Sequence, residues 1–289
     1  MERIQEAIEK ARRERQGKIG GQSSAEGSAA DADLADVPVG SEAVEEVRVT
    51  EKDAGDAAAS IRVNYQQTRT VQLDERELKE RLIVAGFAHD SRSEPYRQLR
   101  GQILQKFRRE KWQTLAITSP NNGSGRTLTA MNLAISLSLE ANQTVLLVDL
   151  DLRNPGVARC IGLDDIEYGI VDYVKGEKPL QNILINPGFE RLVLLPGTPQ
   201  GAFTSEILSS PEMQAVKDEL VSRYPSRLII FDLPAVLSHD DALSFAPGCD
   251  ATLMVLEEGG SKKKDIERAY RLLSGCNMIG SVLNKVKYL

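Results

Sequence analysis

A short segment of the chain carries residue types that bind phosphate groups. Residues 118–127 read TSPNNGSGRT. Glycines let successive backbone amides point at one anion, while Arg126 supplies a cation and Thr127 a hydroxyl suited to magnesium. The usual phosphate-loop pattern is GxxxxGK[ST], and here Pro120 stands for its first glycine and Arg126 for its lysine. Taken alone, the segment fits an ordinary glycine-rich turn equally well.

Carboxylates follow two further apolar runs. Residues 145–148 are followed by Asp149 and Asp151, and residues 228–231 are followed by Asp232. An acid at the end of a buried strand is typical of Walker B segments, in which the carboxylate holds magnesium through water. Each of these segments alone is explained by a polar turn after a strand. All three together, in this order, favour a site that binds nucleotide phosphates and a divalent cation.

The pattern of apolar residues predicts the elements that position these segments. Strand-length apolar runs alternate with helical segments, which predicts an α/β fold with a mainly parallel sheet covered on both faces. Ligands of such sheets lie beyond the carboxyl ends of the strands. Ser93 is the predicted N-cap of a helix that continues to about Lys111. The predicted strands are 114–118, 144–148, 191–195, 227–231, 251–256 and 278–283, and the predicted helices include 74–81, 128–141, 211–224 and 263–273.

Charge and composition divide the chain into four parts. Residues 1–18 form a predicted short amphipathic helix, either frayed in solvent or ordered on a partner. Residues 19–60 contain ten acids, two bases and no aromatic residue, so we interpret them as a flexible, disordered linker. Residues 61–91 are a partly ordered lead-in, and residues 92–289 are the predicted phosphate-binding domain.

The composition also limits the classes of function. A net charge of −6 in 289 residues argues against a nonspecific nucleic-acid binder. We expect no membrane span, because no apolar run reaches the roughly 18 residues that a spanning helix needs. The three cysteines lack the spacing of a disulfide framework or zinc site, which fits a reducing, cytoplasmic location.

The motifs resemble those of the bacterial tyrosine kinase family. Residues 149–155, DLDLRNP, are similar to the family's DxDxR.P segment, and one glutamate and two arginines match its ExxRxxR assembly motif: Glu94, Arg97 and Arg100. The subgroup associated with exosortase (PEP-CTERM) and exopolysaccharide loci is the most similar. Its members also have a helix resembling residues 1–15 and a segment resembling residues 205–211.

The resemblance implies a P-loop NTPase fold of the deviant-Walker, MinD/ParA-like type and an ATP-dependent tyrosine autokinase activity, with ATP and Mg²⁺ as cofactors. Asp149 would take the proton from a tyrosine hydroxyl, with Asp151 and Arg126 as the other catalytic groups. Thr127, Asp151 and Asp232 would hold the metal. The implied nucleotide-binding residues are Asn121, Asn122, Gly123, Ser124, Gly125, Arg126, Thr127, Leu128 and Asn284.

The resemblance further implies partners. Glu94, Arg97 and Arg100 would assemble a homo-oligomer in which one subunit presents tyrosines to its neighbour. A separate membrane protein, the chain-length determinant or polysaccharide co-polymerase, would recruit the kinase to the inner membrane and activate it. The family's terminal tyrosine cluster is reduced here to Tyr288, so Tyr288 and Tyr65 are the predicted phosphate acceptors.

Arg126 is the main departure from the family pattern. Arginine keeps the charge of lysine but is bulkier and planar, so we expect turnover lowered roughly 100-fold, or about 2.7 kcal/mol of barrier. Two alternatives stay open. One is a pseudokinase or nucleotide-binding scaffold of a polysaccharide export system. The other is a ParA/MinD-like partitioning ATPase, although such proteins carry an additional lysine where this chain has Asn121.

Overall fold

A computed structural model describes residues 69–223 and 226–287 of the chain. The strands of this part are β1 (Arg69–Thr70), β2 (Thr114–Thr118), β3 (Thr144–Asp149), β4 (Ile185–Asn186), β5 (Leu192–Leu195), β6 (Arg227–Asp232), β7 (Ala251–Glu257) and β8 (Met278–Asn284). The helices are α1 (Glu75–Glu80), α2 (Glu94–Glu110), α3 (Arg126–Ser138), α4 (Val157–Cys160), α5 (Ile170–Val174), α6 (Thr204–Ser209), α7 (Pro211–Arg223), α8 (Asp241–Phe245) and α9 (Lys263–Leu272).

The described strands form one sheet in the order β1-β4-β5-β3-β6-β2-β7-β8. Neighbouring strands are parallel, except that β4 runs antiparallel to β5. The carboxyl ends of β2, β3 and β6 therefore meet at one edge of the sheet, as expected for a fold that binds ligands there. The predicted α/β architecture with a mainly parallel sheet is confirmed.

Strand alternation divides the core into two layers. Successive side chains of a strand point to opposite faces, so Leu115 and Ile117 pack on one face and Ala116 on the other. Helix α3 covers the first face and is buried over most of its length. Helices α7 and α8 contribute Met213 and Phe245 to the opposite layer. A sheet covered in this way explains why its strands read as continuous apolar runs.

Helix α2 lies where the sequence predicts it, but it does not begin as predicted. Ser93 occupies the N-cap position with helical backbone angles, and its side chain does not cap the helix. A 3₁₀ turn, Ser91–Ser93, precedes the helix and is itself capped by Asp90, which accepts from the Arg92 amide at 3.0 Å. The Ser93 hydroxyl donates to the Asp90 carbonyl at 2.6 Å. The predicted capping role of Ser93 is wrong, because that hydroxyl is used by the turn before the helix.

Several predictions concern residues outside the described part of the chain. They are the helix of residues 1–18, the linker of residues 19–60 and the two candidate acceptors Tyr65 and Tyr288. Within residues 69–223 and 226–287, no helix has the length and apolar character that a membrane crossing requires.

Candidate nucleotide and phosphoryl-transfer site

Two of the predicted acids are brought side by side by strand register. Strands β3 and β6 are adjacent and parallel, and Asp149 lies directly opposite Asp232. Both follow alternate apolar residues that pack on the face covered by α3. The amino end of α3 therefore lies close to this pair. Because the two strands are in register and each ends in an aspartate, they place two carboxylates side by side on one side of the site.

The phosphate loop (residues 119–127) connects β2 to the first residues of α3. Gly125 has φ of 86°, and a side chain here would collide with the Asn284 amide. Asn284, at the end of β8, donates from Nδ2 to the Ser124 carbonyl at 3.0 Å. The Asn121 amide group donates to Asp265 at 3.3 Å. Both contacts hold the loop from the β8 side, so Asn284 supports the loop backbone.

Arg126 lies inside the site and joins three loops. Its Nε donates to the Leu233 carbonyl at 2.9 Å and its Nη1 to the Ser119 hydroxyl at 3.0 Å. Its Nη2 forms an ion pair with Asp151 Oδ2 at 2.9 Å, and its side chain is 8% exposed. The guanidinium therefore bonds to three groups of the protein, and one of them, Asp151, is an acid predicted to hold the metal.

Thr127 and Asp232 are hydrogen-bonded to each other. The Thr127 hydroxyl donates to Asp232 Oδ2 at 2.6 Å. The other carboxylate oxygen, Asp232 Oδ1, is buried and has no hydrogen-bond partner among the described residues. An unpaired buried carboxylate oxygen is costly, and a cation with its water shell would satisfy it. The side chains at this point therefore fit a magnesium ion, with Thr127, Asp151 and Asp232 as the groups that would hold it.

Asp149 is buried and held by backbone amides. Its Oδ2 accepts from the amides of Gly156 and Val157 at 2.8 Å each, and its Oδ1 from the Asp151 amide at 3.2 Å. Burial, followed by the charge of Asp232, raises the pKa of Asp149 above its ordinary value, and the two Oδ2 contacts oppose this rise. Burial likewise raises the pKa of Asp232, opposed by Arg126 and Thr127. Neighbouring buried carboxylates of this kind are typical of functional sites.

A cavity of about 470 Å³ lies over the phosphate loop. Six of the predicted nucleotide-binding residues line it, namely Asn122, Gly123, Gly125, Arg126, Thr127 and Leu128, together with Asp151. Asn121, Ser124 and Asn284 lie behind the loop and do not line the cavity, and neither do the carboxylates of Asp149 and Asp232. No group of three or more His, Cys, Asp or Glu side chains in the described ranges is arranged to hold a metal by itself.

Three residues of the site have no role in the sequence prediction. Arg159 and His239 line the same cavity as Arg126. Asp241 is buried and joins the Arg153 guanidinium at 2.8 Å to the Thr204 hydroxyl at 2.8 Å. This contact holds the loop after β3 against the start of α6. The acidic run at residues 240–241 is a visible signal in the sequence, but nothing there indicates that Asp241 would be buried.

Two of the three predicted assembly residues pair with each other on the surface of α2, and the third joins α2 to α3. Arg97 pairs with Glu94 at 2.9 Å on the helix surface. Arg100 pairs with Glu140 at 3.2 Å and donates to the Ser136 carbonyl at 3.0 Å, so it binds α2 to α3 within one chain. A role of these three residues between subunits stays a prediction.

Comparisons with known proteins show which proteins this chain resembles in sequence and in fold. The chain is 27% identical over 197 residues to tyrosine-protein kinase YwqD of Bacillus subtilis, covering 68% of this chain and 81% of that protein. Its fold matches the crystal structure of the chimerical protein CapA2B2 with a TM-score of 0.66 and 25% identity, covering 76% of this chain and 94% of that one. The predicted resemblance to bacterial tyrosine kinases is confirmed. No family model matches the chain.

The predicted fold type is confirmed as well. The cell division ATPase MinD of Pyrococcus furiosus matches with a TM-score of 0.52 and 25% identity, covering 61% of this chain and 73% of that one. The described part of the chain thus has the MinD-like P-loop architecture seen in bacterial tyrosine kinase domains. The assignment to the exosortase-associated subgroup stays a prediction.

Proposed function

We propose that this chain is an ATP- and Mg²⁺-dependent protein-tyrosine autokinase that regulates exopolysaccharide biosynthesis or export, with turnover reduced by Arg126. One observation carries the proposal: the phosphate loop, the Thr127–Asp232 pair and Asp151 meet at one edge of the sheet, beside a cavity of about 470 Å³. Phosphoryl transfer depends mainly on positioning and on charge neutralisation, and this arrangement provides groups for both.

The residues divide the work between binding and proton transfer. The loop amides and the amino end of α3, a helix of 13 residues, face the phosphates of ATP. Thr127, Asp151 and Asp232 would hold Mg²⁺, which would neutralise charge on the phosphate oxygens. Asp149 accepts the proton of the tyrosine hydroxyl. Its hydrogen bonds to Gly156 and Val157 orient the carboxylate for that task.

Arg126 gives a physical reason for slow turnover. To contact phosphate, its guanidinium has to leave Asp151, Ser119 and the Leu233 carbonyl, and part of the phosphate-binding energy is used to break these contacts. A lysine makes fewer such contacts, because it has one point charge and no planar fork. The acids Asp149, Asp151 and Asp232 therefore fit an active kinase, whereas Arg126 in the phosphate loop fits one with reduced turnover.

The proposal also includes two kinds of protein partner, namely further copies of this chain and a membrane protein. We propose that the chain assembles into a homo-oligomer through Glu94, Arg97 and Arg100. We also propose that a membrane chain-length-determinant protein recruits it from the cytoplasm to the inner membrane. The structurally similar CapA2B2 is a chimerical protein, which supports the idea of a protein partner.

The proposal is tested with the purified full chain, ATP and Mg²⁺, by mass spectrometry of phosphotyrosine. We expect a weak signal in the wild type, a stronger one in Arg126→Lys and none in Asp149→Asn. Arg109→Lys is a matched control, because it makes the same change at an exposed arginine of α2 that lies outside the proposed assembly motif. A fully active Asp149→Asn variant would remove the proposed base.

A nucleotide-binding scaffold without kinase activity is the second candidate function. The three contacts of Arg126 favour it, because they pair the guanidinium with Asp151 and not with phosphate. Calorimetric titration with ATP distinguishes the two functions. Binding without phosphotyrosine, in both the wild type and Arg126→Lys, would support the scaffold.

A further inference from the structure

We propose that Arg159 is a further catalytic residue of this site, whose guanidinium binds the phosphoryl group as it passes from ATP to the acceptor tyrosine. The inference rests on the proposed kinase function. It does not use the residues that carry the family resemblance, because Arg159 lies outside the DLDLRNP segment and the phosphate loop. Its support is the place of Arg159 between two cavities, the partners of its guanidinium and its attachment to the segment that holds Asp149.

Two cavities meet at the segment that follows β3. The nucleotide cavity, of about 470 Å³, lies over the phosphate loop, and a smaller acid cavity, of about 160 Å³, is lined by Asp149. Three of the described residues line both cavities, namely Arg153, Asn154 and Arg159. The phosphate loop lines the first cavity and Asp149 the second. A group that moves from a nucleotide on the loop to a phenol beside Asp149 therefore passes these three residues.

The acid cavity has a lining that suits the acceptor. Besides Asp149 it is lined by the apolar residues Leu163, Ile166 and Pro199. Apolar walls with one buried carboxylate fit an aromatic ring that carries a hydroxyl. With ATP in the nucleotide cavity and the phenol in the acid cavity, the residues shared by both cavities lie beside the phosphoryl group that is transferred.

The arginines of the nucleotide cavity differ in their partners. Arg126, Arg153 and Arg159 all line it. Arg126 forms an ion pair with Asp151 at 2.9 Å, and Arg153 forms one with the buried Asp241 at 2.8 Å. Arg159 forms no ion pair with a carboxylate within residues 69–223 and 226–287. A cation whose charge is not shared with a carboxylate attracts phosphate more strongly, so Arg159 has charge available for the substrate.

The guanidinium of Arg159 bonds to neutral oxygens through one of its nitrogens. Its Nη2 donates to Asn154 Oδ1 at 2.8 Å, to the Asn154 carbonyl at 3.3 Å and to the Pro155 carbonyl. Asp164, an exposed acid that also lines the acid cavity, is not among its partners in the described part of the chain. A guanidinium has five N–H donors, so the groups on Nε and Nη1 are available for phosphate oxygens.

The backbone of Arg159 is fixed relative to the proposed base. The amides of Gly156 and Val157 donate to Asp149 Oδ2 at 2.8 Å each, and Arg159 follows Val157 by two residues in α4. On the other side, Arg81 donates from Nη1 to the carbonyl of Arg159 at 3.2 Å. The start of the arginine side chain is therefore held in place, while its exposed guanidinium can turn toward a phosphate.

Asn154 positions the guanidinium. Its side-chain oxygen accepts from Arg159 at 2.8 Å, and its backbone amide donates to Asp151 Oδ1 at 3.2 Å. Asn154 thus connects Arg159 to an acid that is proposed to hold the metal. A neutral amide orients the arginine without neutralising it, whereas a carboxylate at this position would share its charge. We therefore assign Asn154 as a positioning residue that acts through Arg159.

Arg159 would act while the phosphoryl group is between its two partners. The phenolic oxygen of the acceptor forms a bond to the γ-phosphorus of ATP while the bond from that phosphorus to the β–γ bridging oxygen breaks. The phenolic proton passes to the carboxylate of Asp149, and ADP leaves with the bridging oxygen. The three other oxygens on the γ-phosphorus carry negative charge throughout, and a guanidinium beside them stabilises the transition state.

Binding of a transition-state analogue tests this contact without requiring turnover. The purified full chain is titrated with ADP and Mg²⁺ in a calorimeter, with and without aluminium fluoride, which takes the place of the transferred phosphoryl group. Arg159→Ala should leave the affinity for ADP nearly unchanged and lower the affinity for ADP with aluminium fluoride roughly 10–100-fold.

Arg109→Ala is the matched control for this titration. Arg109 is an exposed arginine that pairs with Glu110 and lines neither cavity, so this variant should bind both forms as the wild type does. Equal binding of ADP with aluminium fluoride by Arg159→Ala and the wild type would overturn the proposal. Failure of aluminium fluoride to increase the affinity of the wild type for ADP would overturn it as well.

Phosphorylation kinetics test the transfer itself, and the Arg126→Lys background gives the larger signal. With a copolymer of glutamate and tyrosine as acceptor, Arg159→Ala should lower kcat roughly 100-fold. Arg159→Lys should recover part of this loss, because lysine keeps the charge but not the planar fork. Thermal unfolding of the same preparations checks that the fold is kept. A raised KM for the acidic copolymer, with kcat and aluminium fluoride binding unchanged, would assign Arg159 to acceptor recognition and overturn its role in phosphate binding.

A double-mutant cycle tests the role of Asn154. Asn154→Ala alone should lower kcat by a smaller factor than Arg159→Ala does, roughly 10-fold. Added to Arg159→Ala it should cause no further loss, because it acts through the arginine. Full additivity of the two losses would overturn its assignment as a positioning residue.

The kinase function and the role of Arg159 fail in different ways. Equal rates of phosphotyrosine formation with and without Arg159 would refute the role of this residue and leave the kinase function standing. Absence of phosphotyrosine in both the wild type and Arg126→Lys would refute the kinase function. In that case the aluminium fluoride titration would still show whether Arg159 contacts the group in the place of the γ-phosphate.

Discussion

Replacing Arg126 with lysine should change stability and turnover in opposite directions. The Arg126 guanidinium makes three hydrogen bonds, to Leu233, Ser119 and Asp151, and its side chain is 8% exposed. An ammonium group keeps the charge beside Asp151 but not the planar fork, so we count two bonds as lost. At about 1 kcal/mol per bond the unfolding free energy falls by about 2 kcal/mol, or about 4–8 °C in melting temperature.

Turnover should rise in the same variant. The contacts that Arg126 makes with Leu233, Ser119 and Asp151 have to be broken before the group reaches phosphate, so removing them lowers the cost of binding the transition state. We expect an increase of roughly 100-fold, equivalent to about 2.7 kcal/mol of barrier. If the Arg126 contacts stabilise the fold but compete with phosphate binding, the Arg126→Lys variant should be less stable than the wild type and turn over faster.

Two measurements on the same preparations check this pair of effects. Thermal or urea unfolding gives the change in stability without nucleotide, and phosphotyrosine formation gives the rate. Arg109→Lys is the matched control, because Arg109 pairs with Glu110 on the helix surface, lies outside the proposed assembly motif and should change neither quantity appreciably. Equal stability of Arg126→Lys and the wild type would show that the three contacts are unimportant, and equal rates would show that Arg126 does not limit turnover.

Three further predictions concern neighbouring residues. Burial raises the pKa of Asp149 to about 8 from an ordinary 3.8. Between these two pH values the folded state therefore binds more protons at Asp149 than the unfolded state does. Stability of the nucleotide-free protein should therefore fall as pH rises through this window, and Asp149→Asn should flatten that fall in a thermal pH series; an unchanged slope would contradict this. Asn284→Ala removes the bond to Ser124 and should weaken ATP binding roughly 2–10-fold by calorimetry, whereas unchanged affinity would mean that the loop needs no support. Arg153→Ala leaves the buried Asp241 carboxylate without its cationic partner and should cost about 3–5 kcal/mol of unfolding free energy in urea, while Asp241→Asn should cost less.

The strands that build the site were predictable because they are buried on both faces. Thr114–Thr118 matches its prediction fully, and β3 and β6 each extend one residue further, to Asp149 and Asp232. In both cases a polar residue ends the apolar run but still pairs in the sheet. The short strands Arg69–Thr70 and Ile185–Asn186 were not predicted, since two residues carry no periodic signal and their pairing depends on tertiary contacts.

The chemistry of the site was predictable only at the level of residue types. A glycine-rich turn and terminal acids indicate a phosphate site, but they do not show that Arg126 bonds to Asp151 or that Asn284 supports the loop from behind. These contacts join residues far apart in the chain and depend on the order of strands. The burial of Asp241 was hidden for the same reason, because a short acidic run usually indicates a solvated helix start.

A crystal structure of the full chain with Mn²⁺ and a non-hydrolysable ATP analogue tests the central claim most directly. The anomalous signal of the metal should lie within bonding distance of the Thr127 hydroxyl and close to Asp151 and Asp232, with Arg126 moved from Asp151 to the phosphates. Nucleotide bound away from residues 119–127, or an Arg126–Asp151 pair unchanged beside it, would contradict the account.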